Sequence, residues 1–203
     1  MTITGIVLCG GRSTRMGADK AARPFAGETL IGRAVRVIGE VTDEVIVVAR
    51  AEQSAAPPFI GLPARIVHDP VEDLGPLAGL AAGLAASTTD VNFVIACDMP
   101  LIKPAVLQRL WDLRDDADIC VAVVDGQASP LCAVYRSHVA SVAHELLAAG
   151  ERRVMALLDR VQTKRVDAAA LRDIDPNLDS FLSCNTPDEL QTAEQLLARR
   201  AEL

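Results

Sequence analysis

Short, continuously apolar runs rich in β-branched residues alternate along this chain with longer stretches of helical pattern. ITGIVLC (3–9), EVIVVA (44–49), ARIVH (64–68), VNFVIAC (91–97), ADICVAVV (117–124), PLCAVY (130–135) and a short run at 163–167 read as strands. Segments around 28–39, 79–87, 104–114, 138–149 and 151–160 read as helices, with the turn-like DGQAS between the two strands at 117–135. Runs that are apolar throughout, rather than at every second residue, need cover on both faces of the sheet they build. The predicted fold is therefore a three-layer α/β/α sandwich around a mostly parallel, Rossmann-like sheet. Pro104 falls in the first turn of its helix, and the last helix opens with Thr186 as N-cap, Pro187 next, and Glu189 three residues after the cap. No internal repeat or long low-complexity linker divides the chain, so residues 1–203 read as one domain.

With 203 residues, half of them apolar, such a domain can bury a full core without disulfides or metal staples. No run approaches the ~18 uninterrupted apolar residues that span a bilayer. The opening MTITGIVLCGG lacks a cationic stretch and an apolar h-region, so no secretion is expected. The cysteines, Cys9, Cys97, Cys120, Cys132 and Cys184, are odd in number, scattered through apolar runs and without a C-x-x-C pair. They read as buried, reduced thiols of a cytoplasmic protein, and as neither a zinc site nor a disulfide framework. A net charge of -7 with 3% aromatics offers no surface for nucleic acid. The charge is uneven, however: residues 1–36 hold six basic and two acidic side chains, a local +4 that leaves −11 for the rest. That asymmetry fits a local anionic ligand, or a solvated helix face.

In open parallel sheets, ligands bind beyond the carboxyl ends of the strands. After the first run comes Leu8-Cys9-Gly10-Gly11-Arg12-Ser13-Thr14-Arg15-Met16-Gly17-Ala18-Asp19-Lys20. Gly10 and Gly11 let the backbone approach a ligand, successive N–H groups can line an anion-binding concavity, and Arg15 and Lys20 add positive charge over the same volume. A tight structural turn would use the same glycines. The loop is not G-x-x-x-x-G-K-[ST], and its glycines do not give G-x-G-x-x-G. Cys97-Asp98-Met99-Pro100 closes the fully apolar strand, expected two strands away from the Gly-rich loop. A carboxylate there is placed for a hard cation such as Mg²⁺ bridging phosphate oxygens, or for capping the turn before Pro100. Asp69, in His68-Asp69-Pro70, is either an Asp-Pro turn or an acceptor for a ribose or base N–H. Gly75 and Gly79 open the small-residue helix, where bare N–H donors can meet a ligand; Gly83 reads as helix–sheet packing. His68, His138 and His144 form no cluster of metalloenzyme spacing, and no G-x-S-x-G is present.

These residues resemble the signature loop of nucleotidyltransferases with a three-layer α/β fold, and most of all the molybdenum cofactor guanylyltransferase (MobA-like) family. The resemblance continues through Asp69, Gly75-Pro-Leu-Ala-Gly79, Cys97-Asp98-Met-Pro, Gly150-Glu151-Arg152-Arg153-Val154-Met155 and Asn185-Thr186-Pro187-Asp188-Glu189-Leu190, nearly the whole chain. It implies transfer of GMP from GTP to the molybdopterin-bound cofactor, with Mg²⁺, release of pyrophosphate, and molybdoenzyme apoproteins or their chaperones as candidate protein partners. It implies that Leu8, Cys9, Gly10 and Lys20 hold GTP, that Asp69 helps hold the nucleoside, that Asp98 ligates the metal, and that Arg152, Arg153 and Asn185 face the pterin. Nucleotide binding is then expected in residues 1–110 and acceptor binding in 111–203. Arg152-Arg153 read by themselves as cations at the start of a helix, a mild conflict with its dipole that a ligand role would explain.

Two departures from the family pattern stand out. Val48 takes a place where Asn often contributes to nucleotide binding, so Arg50 or the backbone substitutes, or nucleotide choice is altered; Ser183 stands where a second Asn is expected. The residues thus leave open cytidylyl transfer to the same cofactor, nucleotidyl transfer to a sugar or alditol phosphate, and a non-catalytic GTP-binding protein that delivers cofactor. A Rossmann oxidoreductase is disfavoured by the missing glycine fingerprint.

Overall fold

The structure, a computed structural model, describes residues 2–9, 20–54, 57–68 and 75–201. In chain order its elements are β1 (Ile3–Leu8), β2 (Pro24–Phe25), β3 (Glu28–Thr29), α1 (Leu30–Gly39), β4 (Glu44–Ala49), α2 (Ala51–Ser54), β5 (Arg65–His68) and α3 (Pro76–Ala86). There follow β6 (Val91–Ala96), α4 (Pro104–Leu113), β7 (Ile119–Val124), β8 (Gln127–Arg136), α5 (Val139–Ala148), α6 (Val154–Leu158), β9 (Thr163–Asp167) and α7 (Pro187–Ala201). Seven strands form one sheet in the order β5-β4-β1-β6-β8-β7-β9. Within it β8 runs antiparallel to both neighbours and the other pairs are parallel. The three-layer α/β/α expectation is met.

Strand alternation divides the interior. Val7, Ile95 and Cys97 face α1 and α4, packing with Ile31, Val35 and Leu107, while Ile6, Leu8 and Val94 face α3, α5 and α6, packing with Leu77, Leu80 and Leu157. Each such side chain, buried from water, contributes roughly 1.5–3 kcal/mol. A third apolar cluster joins Phe25, Leu30, Leu101, Cys184, Leu190 and Ala193, and so seats α7 against β2 and the start of α1.

Several expectations are corrected. The Gly-rich loop and Asp98 are not two strands apart: β1 and β6 are hydrogen-bonded neighbours with Leu8 opposite Ala96, because the chain crosses over β1 after building β5 and β4 on its other side. That is the topological switch point of the sheet. The segment before α1 is a two-stranded hairpin, β2–β3, turning at Ala26–Gly27 with positive φ, and Thr29 caps α1 through the Gly32 amide at 3.1 Å. Of DGQAS only Asp125–Gly126 forms the turn, and Gln127–Ser129 already belong to β8. The cationic excess of residues 1–36 is partly internal: Arg33 and Arg36 are paired with Glu28, and Arg36 also with Glu40.

α3 is apolar nearly all round, as a helix must be when it packs on the sheet with one side and on α5 with another. Gly83 makes that approach possible. A Cβ there would lie 2.7 Å from Ile6 Cγ2 and 3.0 Å from Val48 Cγ2. Alanine is the better helix former by ~1 kcal/mol, but overpacking costs ~1–3 kcal/mol. We therefore predict that Gly83→Ala lowers the thermal midpoint measured by circular dichroism. A rise in the midpoint of this variant would show that the contact is not limiting.

Candidate functional site at the switch point

At the carboxyl edge of the sheet, Cys9 N–H donates to Val48 O at 2.9 Å and Cys97 N–H to Leu8 O at 3.1 Å. The chain therefore leaves β1 and β6 side by side, both cysteines still buried. Lys20 re-enters this space from a 3-10 turn (Lys20–Ala22) anchored by Ala21, which is 1% exposed, and by the β2–β3 hairpin behind it. The Lys20 ammonium lies 2.5 Å from Asp98 Oδ2 and 2.8 Å from Asn185 Oδ1. Asn185 comes from 165 residues away in sequence.

The Asn185 segment is fixed by the capping box of α7. Glu189 accepts from the amides of Asn185 at 2.5 Å and Thr186 at 2.9 Å, while Thr186 Oγ1 accepts from the Glu189 amide at 3.2 Å. The Asn185 and Thr186 amides, with the nearby Lys20 charge, hold the Glu189 carboxyl below the usual carboxylate range. One residue earlier, Cys184 N–H donates to Asp98 O at 2.8 Å. Burial, with Asp98 nearby, pushes the Cys184 thiol up to about 11, so it stays protonated and inert at neutral pH.

Among the described residues Asp98 Oδ1 is buried and finds no hydrogen-bond partner, whereas Oδ2 is taken by Lys20. An orphaned carboxylate oxygen in a polar cleft fits a hard divalent cation. Among the described residues no three His, Cys, Asp or Glu side chains gather into a metal cage. A cation here would take one carboxylate and complete its shell with water and phosphate oxygens, as Mg²⁺ does.

Gly75 caps α3 with φ +76°, and a Cβ there would come 3.3 Å from Arg152 O. The N-terminus of α3 thus touches the segment that carries Arg152 and Arg153. Those two arginines stand at a helix start, as the sequence suggested, Arg153 being the N-cap residue of α6, but both side chains are partnered. Arg152 Nη1 donates to Leu147 O and to Glu151 O, both at 3.0 Å, at the end of α5, where a cation is favourable. Glu151 bonds the Arg153 side chain and both arginine amides, which holds its carboxyl at about 2. The α6 helix begins at Val154 with Arg153 as its N-cap residue and without a side-chain cap, the Glu151 carboxylate lying on the two amides just before it.

The structure brings together Leu8, Cys9, Lys20, Asp98 and Asn185, and separately Gly75 and Arg152, with Gly79 buried in α3. Gly10, Gly11, Arg15 and Asp69 lie outside the described residues. Val48 packs in the interior beneath Gly83, while Arg50, just beyond β4, has a buried Nε with no hydrogen-bond partner among the described residues. Ser183 is exposed. The support of Asp98 by Cys184 went unforeseen, since no local pattern links residues so far apart; the Glu189 cap was visible, but not what it holds in place.

A lysine and a carboxylate meeting at the switch point of a mostly parallel sheet stand where α/β proteins bind their ligands. The family model described as MobA-like NTP transferase domain matches residues 5–166, and the chain belongs to this family. It is 32% identical over 194 residues to a molybdenum cofactor guanylyltransferase of Desulfosudis oleivorans, covering 95% of this chain and 94% of that one. It is 36% identical over 203 residues to a probable molybdenum cofactor guanylyltransferase of Chloroflexus aggregans, covering 97% and 96%. Molybdopterin-guanine dinucleotide biosynthesis protein A from Archaeoglobus fulgidus superposes with a TM-score of 0.84 at 28% identity, covering 97% of this chain and 99% of that one. A 2-C-methyl-D-erythritol 4-phosphate cytidylyltransferase from Thermus thermophilus shares the fold, with a TM-score of 0.68 at 19% identity.

The depressed Glu189 carboxyl makes a pH prediction. Its contribution to stability is complete above the ordinary glutamate range, ~4.3, and is lost as pH falls through its lower folded value. Thermal melts of the wild type against Glu189→Gln should differ most at neutral pH and converge as the pH falls below that range. A difference that stays constant down to pH 2 would mean the carboxylate's charge is not what the Asn185 segment depends on.

Proposed function

We propose that this chain transfers GMP from GTP to the terminal phosphate of the molybdopterin cofactor and releases pyrophosphate, in the cytoplasm and with Mg²⁺. The observation that carries this is the single Lys20 ammonium bound at once to Asp98, on the nucleotide side, and to Asn185, on the acceptor side. One cation touching both halves of a site suits a reaction that joins two phosphates. The names of the relatives supply the acceptor and the base.

In this scheme residues 1–110 bind nucleotide: Leu8, Cys9, Gly10 and Gly11 through the loop, Asp69 at the nucleoside, and Gly75 at the exposed start of α3, with Gly79 buried behind it in the same helix. Arg50, whose guanidinium Nε is unpartnered among the described residues, supplies hydrogen bonds that Val48 cannot. Residues 111–203 bind the acceptor through Arg152, Arg153 and Asn185, the arginines being released from Glu151 and Leu147 by a competing phosphate.

An oxygen of the acceptor phosphate forms a bond to the α-phosphorus of GTP while the bond from that phosphorus to the bridging oxygen breaks and pyrophosphate departs. The nucleophile is already an anion at neutral pH, so the chain needs no general base. Its task is to hold two anions in line and offset their repulsion. Lys20 and Arg15 place positive charge there, and Asn185 orients Lys20. A divalent ion on Asp98 would supply further charge neutralisation at the phosphate oxygens.

A cation ~4 Å from the developing charge contributes ~4 kcal/mol at an effective dielectric of ~20, about three decades of rate. We expect Lys20→Ala and Asp98→Asn each to lower turnover by ~10²–10³-fold while the far-ultraviolet circular dichroism is unchanged. The deciding measurement is pyrophosphate release with GTP, CTP, ATP and UTP, with and without molybdopterin. Release with GTP and cofactor together supports the proposal. Preference for CTP, release with a sugar phosphate instead, or GTP binding without pyrophosphate would each replace it.

A further inference from the structure

The turn that carries Asp98 does not hold itself in shape. Its internal bonds, Met99 N–H to Ala96 O and Ile102 N–H to Met99 O, are both 3.3 Å, long beside the usual ~2.9–3.0 Å, and Pro100 has no N–H to add another. The main-chain groups are instead gripped from outside. The carbonyl of Asp98 accepts from Cys184, that of Pro100 from Arg33 Nε at 2.5 Å and that of Leu101 from Arg200 Nη1 at 3.3 Å; the Lys103 amide donates to Ser180 Oγ at 3.1 Å.

Both arginines are themselves locked. Arg33 donates to Glu28 at 3.0 Å, and its guanidinium carbon lies 5.2 Å from the Phe25 ring centroid. Arg200 donates to Asp179 Oδ2 at 2.7 Å and lies 3.5 Å from Asp175, which is 1% exposed. Burial acts to raise the Asp175 carboxyl, but the Ser180 amide and Lys103 outweigh it and hold it below the usual range, so the network is ionic at neutral pH. A bond from a guanidinium to a carbonyl is charge-assisted and directional.

We infer that Arg33 and Arg200, arriving from opposite ends of the chain, are positioning residues that set the Asp98 carboxylate for its metal and nucleotide. Neither touches the reacting groups; each acts through the backbone two or three residues beyond Asp98. Arg200 stands near one end of α7 and Asn185 just before the other, so the helix that brings the acceptor-side carboxamide also secures the nucleotide-side carboxylate. This rests on Asp98 as the metal-binding carboxylate.

The test is a Mn²⁺ titration followed by electron paramagnetic resonance, with α,β-methylene-GTP bound, on the wild type and on Arg33→Met, Arg33→Lys, Arg200→Met and Asp98→Asn. Loss of groups that orient a metal ligand typically weakens metal binding ~10–100-fold. Arg33→Met and Arg200→Met should each weaken Mn²⁺ about tenfold, with analogue binding in chelator unchanged, and Arg33→Lys, which can still reach Pro100 O, should recover most of the loss. The double variant Arg33→Met with Glu28→Gln removes the carboxylate left unpaired and should behave like Arg33→Met. Wild-type Mn²⁺ affinity in both methionine variants, with only their melting points lowered, would overturn the positioning role. Wild-type affinity in Asp98→Asn would overturn the metal assignment beneath it, a distinguishable result.

Discussion

A lysine ammonium held between a carboxylate from the middle of the chain and a carboxamide from its last thirty residues sets the conditions for everything around it. The charge on the largely buried Lys20 is tolerable because Asp98 and Asn185 both accept from it. Asp98 in turn sits at the end of a fully buried strand, where a carboxylate would be costly to desolvate without a cation beside it. Every other feature of the site serves to bring these three groups to one point: the crossover that makes β1 and β6 neighbours, the hairpin that returns Lys20, and the capping box that presents Asn185.

The two sides of the site differ in how they are made ready. On the nucleotide side, the fully buried β6 leads straight to Asp98, so the carboxylate inherits the rigidity of the sheet. On the proposed acceptor side, Arg152 and Arg153 are held by Glu151 and the end of α5, and the Arg153 side chain is 78% exposed. An exposed arginine in an ion pair gives up little on exchanging one carboxylate for a phosphate. That suits the proposed role of this surface, taking a large anionic ligand and letting it go.

Much of this was legible in the sequence, and the failures have physical causes. The strands were readable because each is apolar enough to need burial on its own account, and the last helix because its cap is a local interaction spanning three residues. The hairpin at Pro24–Thr29 was missed because two-residue strands leave no periodic signal, and it depends on Phe25 finding the cluster beneath α7. The arginines of the first thirty-six residues read as a patch for an anionic ligand or as a solvated helix face, and Arg33 and Arg36 are occupied by Glu28, a neighbour only once α1 has formed and the hairpin has folded onto it. Val48 left open either a substitute such as Arg50 or an altered nucleotide choice, and what the structure adds is that its side chain fills the space beneath Gly83.

Residue order by itself determined the class of fold, the presence of a Gly-rich loop ending in Lys20, the Asp98 strand end and the cap that begins at Thr186. These are local: they depend on hydrophobic period, backbone freedom and contacts within a turn or two. Which strand lies beside which, which arginines are free, and what holds Asp98 were decided by tertiary structure alone. Crossover connections and long side chains join residues 78 to 165 positions apart, and no pattern along the chain encodes a distance closed only when the core is packed.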